Sequence, residues 1–182
     1  MKIFFNRILL FIILASTVSL SGQEINSKNG YDTQIGVMIY MLEKLKTDIV
    51  STTRGLNQTE IDFQFDKKAN SIGVIILHLA WAESENQVSY FGEEMRNEYN
   101  DEEKKLMEIA VHLDKANEVL KGNPIKYYLD LYKKVRKNTL KEFKKRNDDY
   151  WTKRNHYAWF HIMEHQAHHF GQIKLIMNRL PK

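Results

Sequence analysis

Apolar residues recur every three or four positions through most of this chain. Over residues 31–53 they fall at Ile35, Met38, Ile39, Leu42, Leu45 and Ile49, the spacing of one buried helical face. A polar segment follows over 55–68. Within it Ile61-Asp62-Phe63-Gln64-Phe65 alternates as a strand would, but reads as a loop that lays its aromatics on the helices. Asn70 or Ser71 can cap a second helix reaching about Phe91, built on the very apolar run Val74-Ile75-Ile76-Leu77-His78-Leu79-Ala80-Trp81-Ala82. After a polar break at 97–101, residues 102–120 predict one shorter helix carrying Leu106, Ile109, Ala110, Leu113 and Ala116. It ends at Lys121-Gly122-Asn123-Pro124, where Gly suits a C-cap and Pro opens the next helix. That helix spans about 125–147, with Tyr128, Leu131, Tyr132, Val135, Thr139 and Phe143 inward, and a last one spans about 153–179. Four long helices with one shorter insertion predict an all-α helical bundle.

Composition agrees. Only 8 Gly and 2 Pro occur in 182 residues, too few for a sheet protein with many turns, and the length suits a single domain. The first 22 residues differ from the rest. Lys2 and Arg7 precede an apolar run over 8–20, and Ser19, Ser21 and Gly22 offer a cleavage site, the pattern of a secretory signal peptide. An uncleaved anchor is the competing reading, although the run is short of the ~20 residues a membrane span needs. No Cys follows Gly22, which excludes a lipoprotein anchor. The expected organisation is therefore a signal peptide (1–22), a flexible polar segment (23–30) and a helical bundle domain (31–182), in a periplasmic or secreted protein without membrane contact after cleavage.

Loss of residues 1–22 removes two cations and no acids, leaving 25 Lys+Arg against 23 Asp+Glu. So balanced a chain points to no polyanionic partner. The basic series Lys133, Lys134, Arg136, Lys137, Lys141, Lys144, Lys145 and Arg146 reads as a solvated helix face, and nucleic acid is not an expected partner. The aromatics Trp81, Tyr90, Phe91, Trp151, Tyr157, Trp159 and Phe160 read as core and pocket wall. With no cysteine anywhere, disulfides are excluded and any site for a soft metal must be built from histidine.

Histidine is where the chemistry concentrates. The last helix carries His161, His165, His168 and His169. His165 and His169 are one turn apart on one face, so both imidazoles can point at one divalent ion, and His78 is the best candidate for a third ligand. Taken singly, His78 also fits a hydrogen-bonded core histidine, and the pair also fits a polar surface cluster. Gly171 follows the pair, and its missing side chain would let another helix approach closely.

His78 within Ser71-Ile72-Gly73-Val74-Ile75-Ile76-Leu77-His78-Leu79, together with His165-x-x-x-His169-x-Gly171-Gln172, resembles the DinB-like family of bacterial four-helix-bundle proteins. The similarity extends over about residues 31–180. It implies a DinB-like four-helix bundle that binds one divalent metal, typically zinc or nickel, through His78, His165 and His169. Two features depart from the family pattern: Phe170 stands where Arg is common, and an export signal is unusual.

Three imidazoles leave a coordination position free, as in catalytic sites. The resemblance implies either a metal-dependent hydrolase or a thiol-dependent S-transferase or isomerase. Hydrolysis is placed first, because an exported protein lacks the cytosolic thiol pool. A non-catalytic metal-binding or stress-related bundle, its metal stapling two helices, is a further alternative. So is a bundle that acts through dimerisation or a partner surface, its histidines vestigial. His161 and His168 are candidates to shuttle protons, and Gln172 to orient a ligand histidine. Glu83 and Glu164 read as solvated carboxylates or as partners of the ligands. A small-molecule substrate and a homodimer are both compatible with this reading.

Overall fold

A computed structural model describes residues 26–181; the leader expected over 1–22 lies outside them. Among the described residues all regular structure is helical. Four long helices form the body: α1 (Thr33–Thr53), α3 (Ile72–Phe91), α6 (Ile125–Phe143) and α7 (Lys153–Met177). Three short ones are inserted: α2 (Gln58–Ile61), α4 (Asp101–Ile109) and α5 (Leu113–Val119). α1 and α3 each pack against both α6 and α7, which gives a four-helix ring with α4 and α5 laid against α3. No helix among the described residues is long and apolar enough to cross a membrane.

The helix starts follow from capping chemistry. Ser71 Oγ accepts from Val74 N–H to open α3, and reciprocal capping boxes pair Asn57 with Glu60, Asn100 with Glu103 and Thr152 with Asn155. At the start of α1 the Asp148 carboxylate accepts from Gln34 and Ile35 N–H at 3.0 Å each. A distant loop thus caps that helix against its positive end.

Two of the expected elements need correction. The segment over 55–68 is not all loop, because the Asn57–Glu60 box nucleates α2; Phe63 packs on the core, but Phe65 stays 37 % exposed. The single helix expected over 102–120 is broken at Ala110–His112 into α4 and α5, and the Ala110 carbonyl, turned out of the helix ladder, accepts from a side chain of α3.

The core has three tiers. One apolar cluster joins Ile72–Ala80 of α3 to Tyr128, Tyr132 and Val135 of α6 and Ile173 and Ile176 of α7. A second joins Ile35–Leu42 of α1 to Phe91, Phe143 and Trp159. Between them lies a polar tier in which Glu83, Gln87, Arg136, Thr139 and Gln166 are all 0 % exposed. Arg136 donates from Nε to Glu83 Oε1 and from Nη2 to Glu83 Oε2, both at 2.7 Å, and from Nη1 to the Leu42 carbonyl. Gln166 Nε2 donates to Glu83 Oε2 at 2.7 Å, and its Oε1 accepts from Tyr132 and Arg136. Burial works to raise the Glu83 pKa, but the charge of Arg136 and the hydrogen bonds from Arg136, Thr139 and Gln166 outweigh it and hold it below the usual carboxylate value. Glu83 is therefore not a solvated carboxylate, and Arg136 does not belong to the solvated basic face of α6.

Candidate metal centre

α3 and α7 meet beside the polar tier, and their contact brings His78, His165 and His169 together. One ring nitrogen from each lies within 4.8 Å of the other two. The ring centroids are 5.1 Å (His78–His165), 5.0 Å (His78–His169) and 4.5 Å (His165–His169) apart. His78 reaches the site from an apolar helix that is buried through most of its length and is itself 9 % exposed. The other two are half-buried.

Hydrogen bonds orient two of the rings. His78 Nδ1 lies 3.0 Å from the Ala110 carbonyl, which can only accept, so Nδ1 carries the proton and Nε2 keeps its lone pair. His169 Nδ1 lies 2.9 Å from Gln172 Oε1 and by the same logic leaves Nε2 free to ligate. His165 is the exception: its buried Nδ1 has no hydrogen-bond partner, while its Nε2 faces His169 Nε2 at 3.0 Å. Two imidazole nitrogens face to face, with His78 completing a cluster whose ring nitrogens lie within 4.8 Å of one another, fit a donor set arranged for a cation.

Electrostatics favour the neutral, ligating form of all three. Burial lowers the His78 pKa against the pull of the Ala110 bond, and burial lowers that of His169 against the Gln172 bond. Burial, reinforced by His169, His78, His161 and His168, brings His165 down to about 4. At neutral pH no proton has to be displaced before a metal enters. Three imidazoles suit zinc or nickel among other divalent ions, and the residues present fit such a group.

The remaining candidates lie at the rim. His161 is exposed, is bonded to Glu164 at 3.1 Å and has its ring 6.4 Å from that of His165. His168 is exposed and its ring lies 5.9 Å from that of His169. Gly171 brings no helix near, since a Cβ there would meet nothing within 4 Å. The close approach is instead at Gly73, where an added Cβ would lie 2.7 Å from the Tyr128 ring. Tyr157 is no pocket wall; it is 69 % exposed and stacked on His161. Sequence reasoning missed the Ala110 carbonyl, because the apolar pattern runs unbroken through residues 109–113 and gives no sign of the break.

A family model described as mycothiol-S-transferase matches residues 37–180. The chain belongs to that family. The family lies within the DinB/YfiT-like superfamily, so the resemblance carried by His78 and the His165–Gln172 motif holds, and so does the all-α bundle. The match runs from within α1 past the end of α7 and includes every residue of the histidine cluster. No curated protein matches the chain at a significant level.

Proposed function

We propose that this protein is a metal-dependent thiol S-transferase whose metal, zinc or nickel, is held by His78, His165 and His169. The convergence of these three imidazoles in a chain of the mycothiol-S-transferase family carries the reading. A divalent ion there supplies the positive charge that keeps a small thiol in its nucleophilic thiolate form at neutral pH. The chain's own groups prepare the place. Ala110 and Gln172 fix the tautomers of His78 and His169, and the apolar packing of α3 limits access of water.

The order of the two reactions expected from sequence is reversed. Hydrolysis needs a general base beside the attacking water, and the two carboxylates weighed from the sequence are otherwise engaged. Glu83 is locked to Arg136, and exposed Glu164 is bonded to His161. Thiol transfer needs no such base once the thiolate is formed. Export through the leader at 1–22 is retained in the proposal and requires a thiol supply outside the cytosol.

The test is to load the full chain with zinc or nickel and follow thiol consumption against 1-chloro-2,4-dinitrobenzene. A panel of low-molecular-weight thiols that includes mycothiol is used. Transfer that depends on metal and is lost in His169→Ala supports the reading. Metal-dependent hydrolysis of nitrophenyl esters without any thiol transfer would restore the hydrolase. Failure of both, with a large fall in melting temperature on chelation, would leave a structural staple. Fractionating cells that express the full chain tests export.

A further inference from the structure

The near balance of charge along the chain hides an unequal distribution. Residues 93–103 hold six acids and a single base, Arg96, while the outer face of α6 is cationic. Lys133, Lys137 and Lys144, the last at the C-cap, fall on one stripe of that helix at ~100° per residue. All three are exposed, and among the described residues no carboxylate pairs with any of them. The other surface cations there are engaged: Lys126 with Asp130, Lys134 with Glu103, Lys141 with Glu98, and Lys145 and Arg146 with Glu142. The helix dipole accounts for a cation in the last turn but not for Lys133 or Lys137.

The start of the bundle is laid against this stripe. A hollow of about 600 Å³ lies between the segment 28–31 and the end of α6, and its charged lining residues are all lysines: Lys28, Lys137, Lys141 and Lys144. Lys28 is 3.9 Å from Glu43, and Tyr31 donates to the Leu140 carbonyl at 3.3 Å, which holds the segment to the helix. Seven residues, 21–27, separate Lys28 from the apolar run over 8–20. Fully extended, they span no more than about 25 Å. Under either reading of that run, export signal or anchor, it carries the chain to a membrane, so the lysine-lined hollow is the part of the bundle delivered closest to a bilayer. α6 and α7 occupy opposite corners of the ring, because α1 and α3 each pack on both. A surface held by α6 therefore leaves His161 and His168, exposed on α7, facing solvent.

We propose that the α6 lysine stripe and the adjoining hollow dock the bundle on an anionic bilayer surface, with lipid phosphates seated among Lys28, Lys137 and Lys144. Lysine suits a fluid headgroup layer, because its ammonium is a compact point charge that demands no fixed geometry. Each lysine near such a surface strengthens binding about fivefold, and salt screens the attraction. A nucleic acid would answer the same charge, but the apolar run directs this chain to lipid. The proposal departs from the expectation of a protein free of the membrane after cleavage. It stands on charge and chain connectivity, whether or not the histidines transfer a thiol.

The chain has no cysteine, so one introduced cysteine takes a polarity-sensitive dye at a single place. Asn29→Cys puts it in the hollow and Leu175→Cys on α7, both exposed positions. Protein purified from cells that express the full chain is mixed with vesicles of phosphatidylcholine, with or without phosphatidylglycerol. The emission at position 29 should shift to the blue with the anionic vesicles, return at high salt and ignore the neutral ones. The dye at position 175 should respond to neither. Lys137→Gln and Lys144→Gln should each weaken the response about fivefold, and together about 25-fold. Lys174→Gln, an equal loss of charge on α7, should leave it unchanged. All three lysines are exposed, so these variants keep the fold. No shift with anionic vesicles, or a shift that the glutamines at 137 and 144 leave intact, overturns the assignment. An equal response to neutral vesicles or at position 175 overturns it too, and leaves the membrane contact to the apolar run alone. The same shift with inorganic phosphate or duplex DNA in place of vesicles would replace the lipid by a soluble anion or a nucleic acid.

Discussion

Glu83 Oε2 accepts a 2.7 Å hydrogen bond from Gln166 Nε2 across the contact of α3 with α7, and neither side chain is exposed. His78 lies on the first of these helices, and His165 immediately precedes Gln166 on the second. A shift of either helix along the other would break this bond before it separated the imidazoles. The polar tier therefore sets the register on which the histidine cluster depends, at the cost of burying an ion pair.

Glu83→Ala leaves the Arg136 charge buried without its partner, and breaking a buried pair in this way costs about 3–5 kcal/mol. Urea denaturation should show a loss of that size. Adding Arg136→Met to it should recover a large part, because no charge is then left unpaired. A double variant no more stable than Glu83→Ala would mean that packing rather than charge holds the tier together.

Metal titration of the purified chain should give one equivalent of zinc or nickel bound. His78→Ala, His165→Ala and His169→Ala should each abolish stoichiometric uptake. Gln172→Ala removes only the group that orients His169, so stoichiometry should persist with affinity weakened ~10–100-fold. Calorimetry on the four variants checks this, and full uptake by His78→Ala would remove α3 from the site.

The metal-free protein should lose stability on mild acidification. The folded-state pKa values of His78, His165 and His169 are lowered, so the unfolded chain binds more protons wherever the pH lies below the ordinary histidine value of ~6.5. Their contribution is complete above that pH and falls away toward about 4, the value for His165. Glu83, also lowered, adds its own loss below the ordinary carboxylate range. Thermal melts at pH 7, 6, 5 and 4 should fall steadily, and His165→Ala should flatten the upper part of that profile. A profile unchanged by this variant would show that His165 does not titrate as its surroundings dictate.

Much of this was legible in the chain. The long helices follow from the three-and-four spacing of residues such as Ile35, Met38, Ile39 and Leu42, and the i, i+4 pair His165/His169 marks a face without any structure. What escaped depends on long-range partners. Arg136 sits in a run of lysines, and only its meeting with Glu83, far away in sequence, separates it from the solvated face. The break at Ala110 is invisible because residues 102–120 carry a plausible apolar pattern on both sides of it. Tyr157 and Tyr128 are equally aromatic, yet the bundle leaves one in solvent and seats the other on Gly73.

Two of the helical glycines, Gly171 and Gly73, should respond oppositely to one methyl group. Gly171→Ala adds a side chain where nothing lies within 4 Å and should stabilise the protein by about 0.5–1 kcal/mol. Gly73→Ala drives a Cβ against the Tyr128 ring and should destabilise it. Paired denaturation curves decide, and the same sign for both would contradict the packing described for α3 and α6.

Buried hydrogen bonds fasten the segment between α3 and α6, among them Tyr99 to Gln87, the Ala110 carbonyl to His78, and Asn117 to the backbone N–H of Ser71 at 2.8 Å. Apart from Tyr99 and the Arg96–Glu85 pair, the side chains that line the cavity between this segment and α3 are not the fasteners. Lys104, Glu108 and Val111 can therefore be exchanged by mutation without unmooring the segment, whereas Met107 is buried in the core cluster. Substitutions at these positions can reshape that cavity while the scaffold stays in place.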